Sequence, residues 1–212
     1  MRDFPVFDTQ NGVGSLILKE IPYSGNAYIH IQAASDPKAF LQECVDFCGV
    51  AGAEHIYAKG HELLTVYPVY TRVLEMTVDG EAIPDTDACL FPVSEKSANR
   101  WQQIYNAKMK NVPGSAYLSF ADMRKLVQDG GGYFVHRKEE LLGVGLAKDG
   151  EILAVASVVK GGGKDVVCAL CQTMGAQRIT LQVADNNEKA INLYRTLGFI
   201  QTREISCWYT VK

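Results

Sequence analysis

The stretch from Ile152 to Gly198 limits the possible folds of this chain more than any other. An apolar, β-branched run, Ile152–Val159, enters three consecutive glycines, Gly161–Gly163, and a helical pattern, Val166–Met174, leaves them. Gly175 closes that helix. A second strand-like run, Arg178–Ala184, follows, then a second helical segment, Glu188–Leu197, which ends at Gly198, a residue suited to a helix C-terminus. Apolar residues on both faces of Ile152–Val159 predict a strand central in its sheet.

The elements upstream extend this pattern. Ser97–Asn111 has helical composition and is stopped by Pro113-Gly114. Ser119–Asp129 opens with a capping residue and ends at Gly130–Gly132, a glycine run that leads into a strand and is therefore assigned to a turn. Tyr133–Arg137 and Leu141–Ala147 read as strands flanking a charged turn of Lys138, Glu139 and Glu140. Asp149-Gly150 is a two-residue hairpin signal. Phe199–Val211 supplies the last strand or strands. Helix, helix, three strands, helix, strand, helix, strand is an α/β pattern with a mixed sheet.

The N-terminal part carries fewer signals. Ala27–Ala34 is strand-like, Asp36-Pro37 is a cap followed by proline at the first helical position, and a helix runs to about Cys48. A strand at His55–Ala58 and β-rich residues Leu63–Val78 follow. The polar, turn-rich segment Asp79–Ala88 is expected to separate an N-terminal part, 1–87, from a C-terminal domain, 88–212. Cys48-x-x-x-Gly52-Ala53-Glu54-His55-Ile56 echoes Cys171-x-x-x-Gly175-Ala176-Gln177-Arg178-Ile179. In both places a strand and a helix precede and a strand follows, so the N-terminal part reads as a shortened copy of the C-terminal unit.

Composition narrows the function classes. A net charge of −3 gives no broad attraction to nucleic acid or to anionic membranes. No apolar run approaches the roughly 18 residues of a membrane span, and MRDFPVFDTQ lacks the apolar core of a signal peptide, so a cytoplasmic protein is expected. The cysteine pairs Cys44/Cys48 and Cys168/Cys171 fall in apolar, helix-like segments without metal-site spacing, and read as buried reduced thiols.

The glycine run invites a phosphate reading. A Walker loop requires G-x-x-x-x-G-K-S/T, but Val158 holds the first glycine's place and Asp165 follows Gly163-Lys164. A dinucleotide fingerprint, G-x-G-x-x-G, fails at Val166. A metal-free diphosphate loop remains: backbone N–H groups point at the anion, the helix dipole adds to the attraction, and glycine permits close approach. Lys160 and Lys164 would add charge, and Asp165 is expected as the N-cap. The competing reading is a plain flexible turn.

Asn187–Phe199, NEKAINLYRTLGF, resembles the signature of the GNAT family of acetyl-CoA-dependent N-acetyltransferases: Asn187, Ala190, the Leu193-Tyr194 pair, and Gly198-Phe199. The order of elements from about 88 to 212 fits that family. The loop departs from the family's Q/R-x-x-G-x-G/A, with Lys160 and Asp165 at its ends around the matching Gly163. Ala190, Leu193, Tyr194 and Leu197 also fall on one helical face, so Tyr194 has a packing reading as well.

The resemblance implies a GNAT-like mixed sheet flanked by helices, with a smaller α/β N-terminal subdomain. It implies acetyl-CoA as acetyl donor, no metal, and transfer to a primary amine of a small molecule or protein. The alternatives are an inactive GNAT-like module with a binding or regulatory role, and a nucleotide-binding protein. Ser157, Val158, Val159, Lys160, Gly161, Gly162, Gly163, Lys164, Asp165 and Val166 would contact the cofactor, with its diphosphate at Gly161–Val166. Asn187 would bond its pantetheine arm between two splayed strands, and Tyr194 would protonate the departing thiolate. A backbone N–H within Ala154–Val158 would polarise the thioester carbonyl. Glu139, Glu140, Glu151, His136 and Glu204 are candidates for a general base, but each reads first as a solvated surface group. The protein is expected as a monomer or homodimer, without nucleic-acid or membrane partners.

Overall fold

The structure, a computed structural model, describes residues 5–110, 112, 115–175 and 178–212. Asn111, the helix stop at Pro113-Gly114, and Ala176 and Gln177 of the echo lie outside the described residues. The elements are β1 (Val6–Thr9), β2 (Gly12–Ile17), α1 (Ile21–Ser24), β3 (Asn26–Ala34), α2 (Pro37–Val50), β4 (His55–Lys59), β5 (Val69–Asp79), β6 (Cys89–Pro92), α3 (Glu95–Met109), α4 (Phe120–Asp129), β7 (Gly132–Arg137), β8 (Glu140–Lys148), β9 (Glu151–Ser157), α5 (Gly163–Met174), β10 (Arg178–Ala184), α6 (Glu188–Thr196) and β11 (Ile200–Thr210). Short 3-10 turns occupy Glu62–Val66 and Gly80–Ala82.

By their contacts these elements form two units, Met1–Arg72 with Glu204–Lys212, and Val73–Arg203. The segment Asp79–Ala88, read from sequence as a boundary, belongs to the second unit. In the first unit, β1, β2 and β3 pair antiparallel, and β3 pairs parallel with β4 over five residues, Asn26–His30 against His55–Lys59. The end of β11 pairs with β4 at Tyr209↔Ala58. Strand alternation sends Ala27, Ile29, Ile31, Ile56 and Ala58 to one face, where Phe40, Leu41, Cys44 and Cys48 of α2 bury them. The Phe40 ring lies so close that a Cβ at Gly12 would stand 2.8 Å from it, which is why β2 carries glycines.

In the second unit the strand order is β5-β10-β9-β8-β7-β6. Helices α5 and α6 bury one face with Ile152, Val135 and Leu142, and α3 and α4 bury the other through Trp101, Tyr105, Met123 and Leu126 against Phe134, Val144 and Ala156. The Trp101 indole N–H donates to Tyr133 O at 2.9 Å, satisfying its polar atom inside that core. Asp149 and Gly150 both adopt positive φ, 52° and 78°, as a two-residue hairpin turn between β8 and β9 requires.

The two units repeat one topology. Three antiparallel strands, a helix and a parallel strand occur as β1-β2-β3-α2-β4 and again as β7-β8-β9-α5-β10. The echoed residues occupy matching places: Cys48 and Cys171 are buried near the ends of α2 and α5, and Ile56 and Ile179 are fully buried on β4 and β10. Among the described residues the first unit is the shorter, with no counterpart of α3 and α4 and a 3-10 turn, Glu62–Val66, where α6 stands in the second.

Cys44, Cys48, Cys168 and Cys171 are buried free thiols, and Cys89 is exposed. Burial pushes Cys44 and Cys171 up to about 12 and Cys48 to about 11. Only thiolates attack disulfide reagents. At pH 8, Ellman's reagent is therefore expected to label Cys89 promptly and these four only after denaturation. Rapid labelling of any of the four in native protein would refute their burial.

Candidate functional site

The site grows from a defect in strand pairing. Strand β10 pairs with β5 along its whole length, Arg178–Ala184, but with β9 only at Thr180↔Glu151 and Leu181↔Ile152. Next to Ile152 the β8–β9 ladder shifts register, from Ala147↔Ile152 to Leu146↔Ala154, which leaves Leu153 as an extra residue. A bulge bends its strand and increases local twist. Strand β9 therefore turns away from β10 immediately after its last pair, and the two strands open into a wedge.

The wall of this wedge carries backbone donors. Val158 N–H is bonded to Leu142 O at 2.9 Å. Antiparallel ladders alternate, so the amides of Ala156 and Ala154 face β8, while those of Ser157 and Val155 face the opposite edge, where β10 no longer pairs. The bulged Leu153 stands outside the β8 ladder altogether.

The wedge ends at the start of α5. A tight turn closes on Gly162 N–H to Val159 O, 3.3 Å, with Gly161 at φ +84°, a conformation that favours glycine. The helix starts at Gly163, three residues before the predicted Val166, and its N-cap is Gly162. Asp165 is not the N-cap. It occupies the third helical position, and its carboxylate is ion-paired with Arg137 Nη2 and accepts a hydrogen bond from Thr86 Oγ1 at 3.2 Å. Among the described residues, no side chain caps α5. Gly163, Lys164 and Asp165 thus have N–H groups without a helical partner, directed outward at the positive end of the helix dipole. Val166 N–H is already bonded to Gly162 O at 3.1 Å. Lys160 and Lys164 are exposed beside these donors, and Ser157 Oγ is 2.8 Å from Val159 O, fixing the turn.

Helix α5 is seated closely on the sheet. A Cβ on Gly143 would lie 2.9 Å from Val166 Cγ2, and one on Gly145 would lie 2.5 Å from Leu170 Cδ1. The segment before β6 is tied to α5, with Gln172 Nε2 donating to Asp85 Oδ1 at 3.2 Å, and its Ile83 and Ala88 join the same hydrophobic core. Six consecutive residues, Val166–Cys171, are consequently buried.

No protein-family model matches the sequence, and neither does any curated protein sequence. Solved structures do match. A protein of unknown function from Staphylococcus epidermidis has a TM-score of 0.60 at 9% identity, over 99% of this chain and 94% of that one. A GCN5-related N-acetyltransferase from Anabaena variabilis has a TM-score of 0.63 at 10% identity, over 94% of this chain and 59% of that one. A tandem GNAT protein from the clavulanic acid biosynthesis pathway has a TM-score of 0.57 at 10% identity, over 95% and 79% of the respective chains. This chain has the GNAT fold.

Within the GNAT fold, Asn187 and Tyr194 both have structural duties. Asn187 is the N-cap of α6, its Oδ1 accepting from Ala190 N–H at 3.3 Å, which leaves its amide NH2 for other partners. At the other end of α6, Phe199 N–H bonds Tyr194 O and Gly198 N–H bonds Arg195 O, each at 3.0 Å, with Gly198 at φ +88°. This is a Schellman termination, and the Tyr194 and Phe199 rings, 5.7 Å apart, make its hydrophobic contact. The spacing of Tyr194, Gly198 and Phe199 thus has a backbone cause. Tyr194 is 9% exposed, and burial, with a smaller contribution from Cys171, pushes its phenol up to about 12.

The first unit of the GNAT fold lacks both features of this site. Its β3 and β4 stay paired over five residues, so no wedge opens. Its α2 is capped by Asp36, whose Oδ1 accepts from Ala39 N–H at 3.1 Å, and begins with Pro37, which has no N–H. Of the general-base candidates, His136 has a buried Nδ1 with no hydrogen-bond partner among the described residues. Arg137 and Thr86, the partners of Asp165, were not foreseen from sequence. The available signal was the acid itself, which needs a cation if its helix end is to hold an anion. Among the described residues, no cluster of His, Cys, Asp or Glu could hold a metal ion.

Proposed function

We propose that the second unit is an N-acetyltransferase that moves the acetyl group of acetyl-CoA to a primary amine by direct attack. One observation carries this reading: β9 and β10 pair for two residues and then part beside an uncapped helix N-terminus. Edge amides suit a polar amide-containing arm, and three outward N–H groups with two lysines suit a diphosphate. The residues present therefore fit acetyl-CoA, which supplies a thioester already activated toward nucleophiles.

The chain's own residues account for the rest. The N–H groups of Gly163, Lys164 and Asp165, with Lys160 and Lys164, hold the diphosphate. Val155 and Ser157 hold the arm, with Leu153 or Val155 placed to polarise the thioester carbonyl as an oxyanion donor does. The Asn187 amide adds a donor to the arm. A neutral amine forms the new N–C bond as the C–S bond breaks, the electron pair leaves on sulfur, and the surplus proton departs from the amine nitrogen. Tyr194 O–H donates to the developing thiolate.

Thermal shift tests the cofactor first. Acetyl-CoA or CoA at about a hundredfold excess over Kd is expected to stabilise the protein by about 2.7 kcal/mol, or about 5–10 °C in Tm. Equal or greater stabilisation by ATP would favour a nucleotide-binding protein instead. Stabilisation without thiol release across a panel of amines would indicate a binding module. Release with one amine class would identify the acceptor.

A further inference from the structure

We propose that Arg137 is a positioning residue that keeps the Asp165 carboxylate off the N-terminus of α5, so that this end of the helix can hold a diphosphate. The inference rests on the coenzyme A reading above. Asp165 contributes one of the three outward N–H groups, so its own carboxylate is within a turn of anything bound there. A carboxylate beside a bound diphosphate is repulsive, so an anion can use these donors only if this acid is drawn aside or neutralised.

Helix α4 shows the other arrangement open to an aspartate at the third helical position. There Asp122 Oδ2 turns back and accepts from the Ser119 N–H at 2.8 Å and from Ser119 Oγ at 2.8 Å, closing the helix end in a capping box. Asp165 has the same position in α5 and the opposite arrangement. The N-cap N–H it would accept from is already bonded to Val159 O, and the carboxylate is drawn sideways to Arg137 and Thr86. Arg137 is itself fixed, because its Nε donates to Asp87 Oδ1 at 2.6 Å. Its guanidinium is thus clamped between an aspartate of the covering segment and the aspartate of the helix. The family-atypical acid in the loop is accommodated by a cation that lies far away in sequence.

A double-substitution cycle read by CoA affinity tests this. Arg137→Gln is expected to weaken CoA binding about tenfold, the size of a partly exposed charge interaction. Asp165→Asn, which keeps the backbone N–H and removes only the carboxylate charge, is expected to raise affinity. The double variant is expected to regain the affinity of the unaltered chain. Acetyl-pantetheine, which lacks the diphosphate, should bind all four proteins alike. If the loss persists in the double variant, Arg137 binds the phosphate directly and the inference is overturned. If Arg137→Gln lowers Tm without changing CoA affinity, the ion pair is only structural and the inference is again overturned. If the unaltered chain does not bind CoA at all, the coenzyme A reading falls and takes this inference with it.

Discussion

Tyr194→Phe is expected to lower the turnover of acetyl transfer by about a hundredfold, the lower end of what a positioned proton donor contributes. Acetyl-CoA affinity should stay within about threefold. The substitution isolates the hydroxyl, because Phe preserves the ring contact with Phe199 that completes the end of α6. A phenol raised to about 12 is protonated throughout the neutral range. It is also a weaker acid than a thiol near 8.5, so complete proton transfer to the thiolate is uphill by roughly 5 kcal/mol at about 1.4 kcal/mol per pH unit. On the proposed function, Tyr194 would act through a hydrogen bond to developing charge. Steady-state kinetics beside equilibrium CoA binding decides the matter: equal losses in both would make Tyr194 a packing residue. The same burial has a pH signature. The folded pKa lies above the ordinary 10, so the stabilisation is fully present below pH 10 and is lost as pH rises through about 12. Alkaline unfolding should start at higher pH in Tyr194→Phe.

Gly145→Val is expected to destabilise the protein by about 3 kcal/mol or more, a fall in Tm of about 6–12 °C. The new Cβ would meet Leu170 Cδ1 at 2.5 Å and Ala154 O at 3.2 Å, and Leu170 is completely buried, with nowhere to retreat. Adding Leu170→Ala should recover part of the loss, because the smaller side chain vacates the space the valine requires. Thermal melts of the two single variants and the double variant would show this. Additive losses would mean that the close approach of α5 to β8 does not set the cost.

The second unit was largely readable because its local signals agree with its tertiary structure. Ser119, Asp149-Gly150, Gly175 and Gly198 each mark a cap or turn where the structure has one. Strands β1 and β2 gave no comparable sign. Gly12 and Gly14 weaken a strand pattern, and what a side chain there would meet, the Phe40 ring and the carbonyls of Ala33 and His30, lies on other elements. The start of α5 was misplaced because Gly163-Lys164-Asp165 has loop composition, while the helix begins there by geometry rather than by propensity. Asp79–Ala88 looks like a linker because it is polar, yet Asp85, Thr86 and Asp87 each hold a partner far along the chain. The unbroken apolar run Val166–Leu170 was the clue, since a helix apolar all round must be covered on all sides. Similarly, the wedge depends on a one-residue register shift at Leu153, which no alternation pattern announces.

A helix held at several points has little room to adjust when a guest arrives. With Gly143 and Gly145 against α5, and Asp85 and Thr86 tied to its Gln172 and Asp165, the leading amides of α5 would keep their place on the proposed docking of coenzyme A. On the proposed function, association would then involve little ordering of the protein, and selectivity would be set in advance by the shape of the cradle rather than moulded by the incoming molecule.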